Sequence, residues 1–241
     1  MPLPLLARVA DLVLALECAG CRRPGVRWCR RCDLALGRLE LGAAPAVVRP
    51  RPLPPHLPTT HAAVAYADPL RTAVTAWKDH DRRDLVAVLG PVLARSAVEA
   101  VAAAGWGGAP VVVVPAPSSA ASVRRRGDAP LEELARWMSL RWGDGRWRVV
   151  PALHQARRVE DQSGLGIGER RRNLGNALAV KPLSRRLVRD SRVLIVDDVV
   201  TTGATLADAC RALRRAGALQ VVAATMAAAQ RHETPALPGE C

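Results

Sequence analysis

One stretch limits what this chain can fold into more than any other: Val193-Leu194-Ile195-Val196-Asp197-Asp198, continuing as Val199-Val200-Thr201-Thr202-Gly203-Ala204-Thr205. Four apolar, mostly β-branched residues without alternation make a strand buried on both faces, the pattern of a parallel sheet. Asp197 and Asp198 are expected where that strand leaves the core, and open α/β sheets bind ligands outside the carboxyl ends of their strands. Thr201, Thr202 and Thr205 supply hydroxyls, and Gly203 lets backbone N–H groups come close to an anion. A helix starting near Ala204 points its unsatisfied N–H groups and positive dipole end at the same place. Together these residues read as a phosphate site. The carboxylate pair beside it suits a ribose diol, or a Mg²⁺ ion held through water and substrate oxygens. The Lys of a Walker loop is missing, which argues against nucleoside triphosphate hydrolysis. The plainer alternative is a buried strand and a capped helix, with Asp and Thr as turn residues.

An apolar strand, two acids and a T-T-G-x-T loop, here Val193 to Thr205, resemble the PRPP-binding motif of the type I phosphoribosyltransferases. The rest of the chain is compatible with that resemblance. Its 241 residues allow one sizeable α/β domain and a small extra module. There is no Phe and a single Tyr, so Leu, Val, Ala and six Trp must build the core. The formal charge of +13 implies anionic partners, phosphorylated metabolites or nucleic acid, without choosing between them.

Residues 1–17 are apolar but interrupted by Arg8, Asp11 and Glu17, too short and too broken to span a bilayer. They are expected to form an amphipathic helix in a cytoplasmic protein. Cys18-x₂-Cys21-x₇-Cys29-x₂-Cys32 follows. Two C-x₂-C pairs at short separation bring four thiolates into a tetrahedral set, and soft thiolates favour Zn²⁺. The alternative, two disulfides of a secreted knot, conflicts with an α/β body lacking an export signal. So small a module cannot bury its own core, which makes metal binding its folding energy. Cys210 is expected in the core, and Cys241 has no evident partner.

The expected organisation is a helix and four-Cys module over residues 1–41, a Pro/Ala-rich linker over 42–60, the α/β domain over 61–232 and a flexible tail over 233–241. Within the domain, strands are expected at residues 62–66, 111–114, 149–150 and 221–224. Helices are expected at 69–77, 85–104, 131–142 and 205–216, with Pro91 kinking or dividing the second and Gly217 ending the last. Lys78 falls in a polar loop, residues 78–82. Strand–helix alternation throughout means a mostly parallel sheet flanked by helices. Pro115-Ala116-Pro117 runs out of a buried strand toward Arg124-Arg125-Arg126-Gly127, where guanidiniums and small residues suit a polyanion. Residues 115–192 hold 17 basic and 8 acidic side chains, most of which are expected to be solvated.

The order of these features is similar to that of the ComF family, also described as predicted amidophosphoribosyltransferases. The resemblance is carried by the Cys pairs, Pro115-x-Pro117, Arg126-Gly127, Gln162 through Arg170–Asn173, and Val193 to Thr205. The chain departs from the family at Asp128 and Ala129, which stand where the family has an aromatic residue and Asn. The resemblance implies a type I phosphoribosyltransferase fold, with Asp197 and Asp198 on the ribose hydroxyls and Thr201, Thr202, Gly203, Ala204 and Thr205 on the 5′-phosphate. It implies Ala116 and Pro117 in the pyrophosphate loop, and Arg126 and Lys78 as polyanion contacts. Mg²⁺ would accompany PRPP, and structural zinc would sit on Cys18, Cys21, Cys29 and Cys32. It also implies a link to DNA uptake by competent bacteria, with single-stranded DNA or uptake proteins as partners. Two functions stay open: phosphoribosyl transfer to an unknown acceptor, or a non-catalytic PRPP-sensing adaptor that binds nucleic acid.

Overall fold

The computed structural model describes residues 16–117, 129–156 and 177–229. The expectations placed on residues 1–15, on Arg124 to Asp128, on Gln162 and Arg170 to Asn173, and on the tail lie outside the described residues.

Strands β1 (Ala46–Val47), β2 (Thr60–Ala65), β3 (Val111–Pro115), β4 (Trp147–Val149), β7 (Arg192–Val200) and β8 (Gln220–Ala228) form one sheet in the order β1-β2-β8-β7-β3-β4. All neighbours are parallel except β1, which runs antiparallel to β2 at the edge. A second, two-stranded antiparallel sheet joins β5 (Leu153–Gln155) and β6 (Leu178–Val180). The helices are α1 (Arg30–Gly37), α2 (Leu70–Asp79), α3 (Val86–Ala103), α4 (Pro130–Trp142), α5 (Arg185–Val188) and α6 (Ala204–Arg215). This is a mixed α/β fold with a mostly parallel main sheet, as expected.

The period-2 geometry of β7 divides the core. Leu194 and Val196 pack in one cluster with α2, α3 and α4; Val193 and Ile195 pack in a second with α6 and the β5–β6 sheet. All four are 0% exposed, which makes β7 a strand covered on both faces by helices. Helix α3, preceded by a 3₁₀ turn at Arg83–Leu85, belongs to the described stretch long and apolar enough to cross a membrane, residues 83–103. Here Leu89, Leu93, Ala97 and Ala100 bury its apolar face in the first cluster. Pro91 lies inside it and does not divide it, costing one hydrogen bond toward the carbonyl of Ala87.

Several element boundaries differ from expectation. Strand β7 carries Asp197 and Asp198 within it, because β8 continues pairing through Asp197↔Thr225 and Val200↔Ala228 after β3 has stopped at Val196. Lys78 lies in the last turn of α2, not in a loop. The stretch read as a linker contributes β1, and Val48 donates its N–H to the Thr60 carbonyl, so this segment borders the sheet. The edge strand expected near residue 149 is β4, and Gly217, with φ +92°, follows the end of α6 as expected. Cys210 is fully buried.

Candidate functional site

Because β2, β3, β7 and β8 are parallel, their carboxyl ends share one edge of the sheet. Ala116 donates its N–H to the Val196 carbonyl at 2.8 Å, which brings Ala116 and Pro117 out of β3 directly beside Asp197. From the other side, α2 delivers Lys78, whose Nζ lies 2.5 Å from Asp198 Oδ2. The Asp198 N–H donates to Asp197 Oδ1 at 2.9 Å, so the two carboxylates are tied together by their own backbone. Burial, and then the neighbouring Asp198 carboxylate, raise Asp197 well above the ordinary carboxylate range. Asp197 therefore holds its proton to higher pH than a free carboxyl does, and Lys78 pairs with its neighbour Asp198.

The loop after β7 exposes Thr201, Thr202, Ala204 and Thr205 while burying Gly203. Gly203 is the N-cap residue of α6 with φ +74°, and no side chain caps the helix. The nearest side-chain contact there is a long one, Ala204 N–H to Thr202 Oγ1 at 3.4 Å. Free N–H groups, three hydroxyls and a helix dipole thus meet at an exposed loop, the chemistry an anion needs. The role of Gly203 differs from expectation in one respect. A Cβ on it would meet Leu57 Cδ1 at 3.0 Å and Pro50 Cγ at 3.2 Å. The missing side chain makes room for the 48–58 segment behind the loop, and the left-handed φ is one that glycine adopts without strain.

Of the sequence-derived site residues, the structure thus brings together Lys78, Ala116, Pro117, Asp197, Asp198 and the 201–205 loop; Arg126 lies outside the described residues. Sequence reasoning passed over Tyr66 as a site residue: the chain's single tyrosine directly follows β2 at the same edge and hydrogen-bonds through its N–H to the Ala228 carbonyl. Burial, and then the charge of Asp198, raise its phenol. It also passed over Asp68, which accepts from Thr72 Oγ1 at 2.7 Å and pairs with Arg71 beside Tyr66. A lone aromatic hydroxyl at the end of a strand was the available signal.

The four expected metal ligands converge. All four Sγ atoms of Cys18, Cys21, Cys29 and Cys32 lie within 4.8 Å of one another. Cys18 Sγ is 3.7 Å from Cys32 Sγ, and Cys21 Sγ is 3.6 Å from Cys29 Sγ. Those separations are far too long for disulfides, and all four are free thiols. They match a tetrahedron: ligands at about 2.3 Å from a zinc ion lie about 3.8 Å apart. The backbone is already arranged for thiolate. Burial works against ionising Cys18, but N–H groups of Cys21, Gly20 and Cys29 outweigh it and lower its pKa to about 6. The N–H of Cys32 lowers Cys29, whereas burial and then the sulfur of Cys18 raise Cys32. Backbone N–H groups thus favour thiolate at Cys18 and Cys29, which suits a cation held among the four sulfurs. The module is also built into the body of the molecule. Ala19 and Leu36 belong to the first core cluster, and Arg82 bonds both carboxylate oxygens of Asp84 and the Glu17 carbonyl, at 2.8, 2.8 and 2.9 Å.

Comparison with known proteins agrees with this arrangement. Residues 121–237 match the phosphoribosyl transferase domain family. The DNA utilization protein YhgH of Salmonella typhi is 28% identical over 208 residues, covering 85% of each chain. Competence protein F of Haemophilus influenzae is 33% identical over 116 residues, 46% of this chain and 48% of that one. Among solved structures, the allosteric regulatory enzyme of purine biosynthesis shares 21% identity at a TM-score of 0.36, over 60% of this chain and 26% of the other. The four-Cys cluster, the phosphoribosyl transferase match and the similarity to the competence and DNA utilization proteins together support a ComF-like assignment, on a type I phosphoribosyltransferase fold.

Proposed function

We propose that this protein binds PRPP with Mg²⁺ and transfers its phosphoribosyl group to an acceptor. The observation that carries this reading is the juxtaposition of Asp197 and Asp198 with the uncapped Thr201–Thr205 loop. The loop holds the 5′-phosphate through Thr201, Thr202 and Thr205 hydroxyls and the N–H groups of Gly203, Ala204 and Thr205. Asp197 and Asp198 accept hydrogen bonds from the 2- and 3-hydroxyls of the ribose. Ala116 and Pro117 border the pyrophosphate, and Lys78, held on Asp198 in the free protein, swings toward phosphate oxygens when the diol takes its place; Arg126 is proposed as a further polyanion contact. Mg²⁺, where bound with PRPP, would supply charge neutralisation for the pyrophosphate leaving group. Bond breaking at C1 of ribose produces an oxocarbenium-like state, so the protein's work is positioning and electrostatic stabilisation, with no protein nucleophile required.

The proposed organisation is a zinc-binding module over residues 1–41, an edge segment over 42–60, the transferase domain over 61–232 and a tail over 233–241, in a cytoplasmic protein. The names of the relatives, DNA utilization protein and competence protein F, motivate a role in DNA uptake. A second reading, a PRPP-sensing adaptor that engages single-stranded DNA, is favoured by a specific surface. On α4, the exposed Trp142 stands 5.5 Å from Trp137, whose ring packs against the core beneath the Arg141 guanidinium, so Trp142 and Arg141 together offer a base one aromatic ring and one cation.

The deciding experiment is calorimetric titration of the zinc-loaded protein with PRPP and Mg²⁺, followed by pyrophosphate release across nucleobases and amines. Binding with acceptor-dependent release supports the transferase, and binding without release from any acceptor supports the sensor. No PRPP binding, with ribose 5-phosphate or a nucleotide binding instead, overturns both.

A further inference from the structure

At the opposite edge of the sheet from Asp197, a cleft of about 540 Å³ opens between β6, the α5 region and the end of α6. Four guanidiniums border it: Arg185 and Arg189 from one side, Arg211 and Arg215 from the other. Arg211 is fixed in place. Its Nε donates to Asp208 Oδ1 at 2.7 Å and its Nη2 to the Leu178 carbonyl at 2.9 Å, while Asp208 accepts the Leu178 N–H at 2.8 Å. Arg185, Arg189 and Arg215 are exposed and form no ion pair among the described residues. The acid nearest in sequence is Asp190, also exposed, whose N–H bonds to the Gly217 carbonyl across the cleft wall.

Arginines near the end of a helix have a plain use, offsetting the negative end of its dipole. The observations here extend further. Two elements bring their guanidiniums to one concavity, and Gly217 lies against the stem of Arg189, with space of only 3.3 Å between its Cβ position and Arg189 Cγ. The floor is apolar, Leu178, Val180 and Ala212 being buried beneath the arginines. Clefts of this size hold small organic ligands, and an apolar floor with a guanidinium rim fits a ring or sugar carrying phosphates. Arg211 to Arg215 stand seven to eleven residues along α6 from Ala204, which at about 1.5 Å each puts the cleft roughly 10–17 Å from the Thr201–Thr205 loop.

We propose that this cleft is a second anion site, which takes a small polyphosphate bearing an organic group, of nucleoside diphosphate size. The proposal does not rest on the transferase reading. The test uses ADP as probe, titrated calorimetrically into the zinc-loaded full chain, alone and with saturating ribose 5-phosphate. Inorganic pyrophosphate and a single-stranded oligonucleotide serve as comparison ligands. One ADP per chain should bind, with ribose 5-phosphate leaving that binding in place. Arg189→Glu with Arg215→Glu should weaken ADP by about tenfold or more, the scale of lost charged hydrogen bonds, while PRPP binding and the melting temperature stay unchanged. Arg189→Lys with Arg215→Lys should retain most of the affinity and guards against a folding artefact. Inorganic pyrophosphate should bind more weakly than ADP, since it leaves the apolar floor unused.

The proposal is overturned if ADP does not saturate, if ribose 5-phosphate displaces it, or if the Glu pair binds it as wild type does. It is equally overturned if the oligonucleotide, and not ADP, loses affinity in the Glu pair, since the arginines would then be a nucleic-acid surface. ADP behaving as described in a protein that ignores PRPP would leave this site standing and remove the transferase.

Discussion

Asp197 and Asp198 are adjacent carboxylates with different surroundings. Replacing both with Asn keeps their shape and the hydrogen bond from the Asp198 N–H, but removes the charge facing Lys78. Mg²⁺-dependent PRPP affinity should fall by about 1–3 kcal/mol, the scale of lost charged hydrogen bonds, in calorimetric titration. Asp197 alone gives a pH signature. Burial, then Asp198, raise it, so the folded protein holds its proton to higher pH than the unfolded chain does. Stability therefore declines as pH climbs from the ordinary carboxylate value to the raised one, and Asp197→Asn removes that decline. Melts without ligand should show the variant's advantage growing from acid to neutral pH; an advantage independent of pH would refute the assignment. Gly203→Val combines a left-handed φ with contact against Leu57 and Pro50. A loss of about 1–3 kcal/mol in denaturant unfolding is expected, the usual cost of such backbone strain.

Elements show how far the sequence could be read. The β7 run was visible because four unalternating apolar residues have few other homes, and the threonine–glycine loop because its residue types are those of an anion site. Helix α1 was missed: its apolar positions are only Leu34, Ala35 and Leu36, and its buried face includes Cys32, already assigned to metal. Strand β8 was expected to end at residue 224. It continues to Ala228 because Ala227 and Ala228 pair with β2 and β7 on either side, and helical propensity yields to that pairing. The same override keeps two aspartates inside β7. The four-Cys module was legible in its ligands and not in its docking, since nothing in the Cys spacing announces Ala19 or Leu36 as core residues. Protein purified without chelator should carry about one zinc per chain by elemental analysis, and Cys21→Ser should lose it and unfold the module. Zinc-free protein with native spectra would contradict the tetrahedral geometry.

The whole molecule is strongly basic, at +13. Single-stranded DNA should bind weakly, with log affinity falling steeply against log salt as counterions are released. Salt-insensitive affinity, or none at low ionic strength, would remove nucleic acid from its partners. The size of the unit that can fold is set elsewhere, at the contact of Gly203 with Leu57 and Pro50. The family match begins at residue 121, and the second strand of the sheet at Thr60. A chain begun at residue 60 would keep every element bearing the carboxylates and threonines, yet lose the wall behind Gly203 and the strand that closes the sheet's edge. Such a truncated protein should survive as a fold with a slack anion loop, seen as faster amide exchange at residues 201–205 and weaker PRPP binding. Residues 46–58, which carry none of the proposed ligand contacts, would then belong structurally with the domain proposed over 61–232 and not stand apart from it.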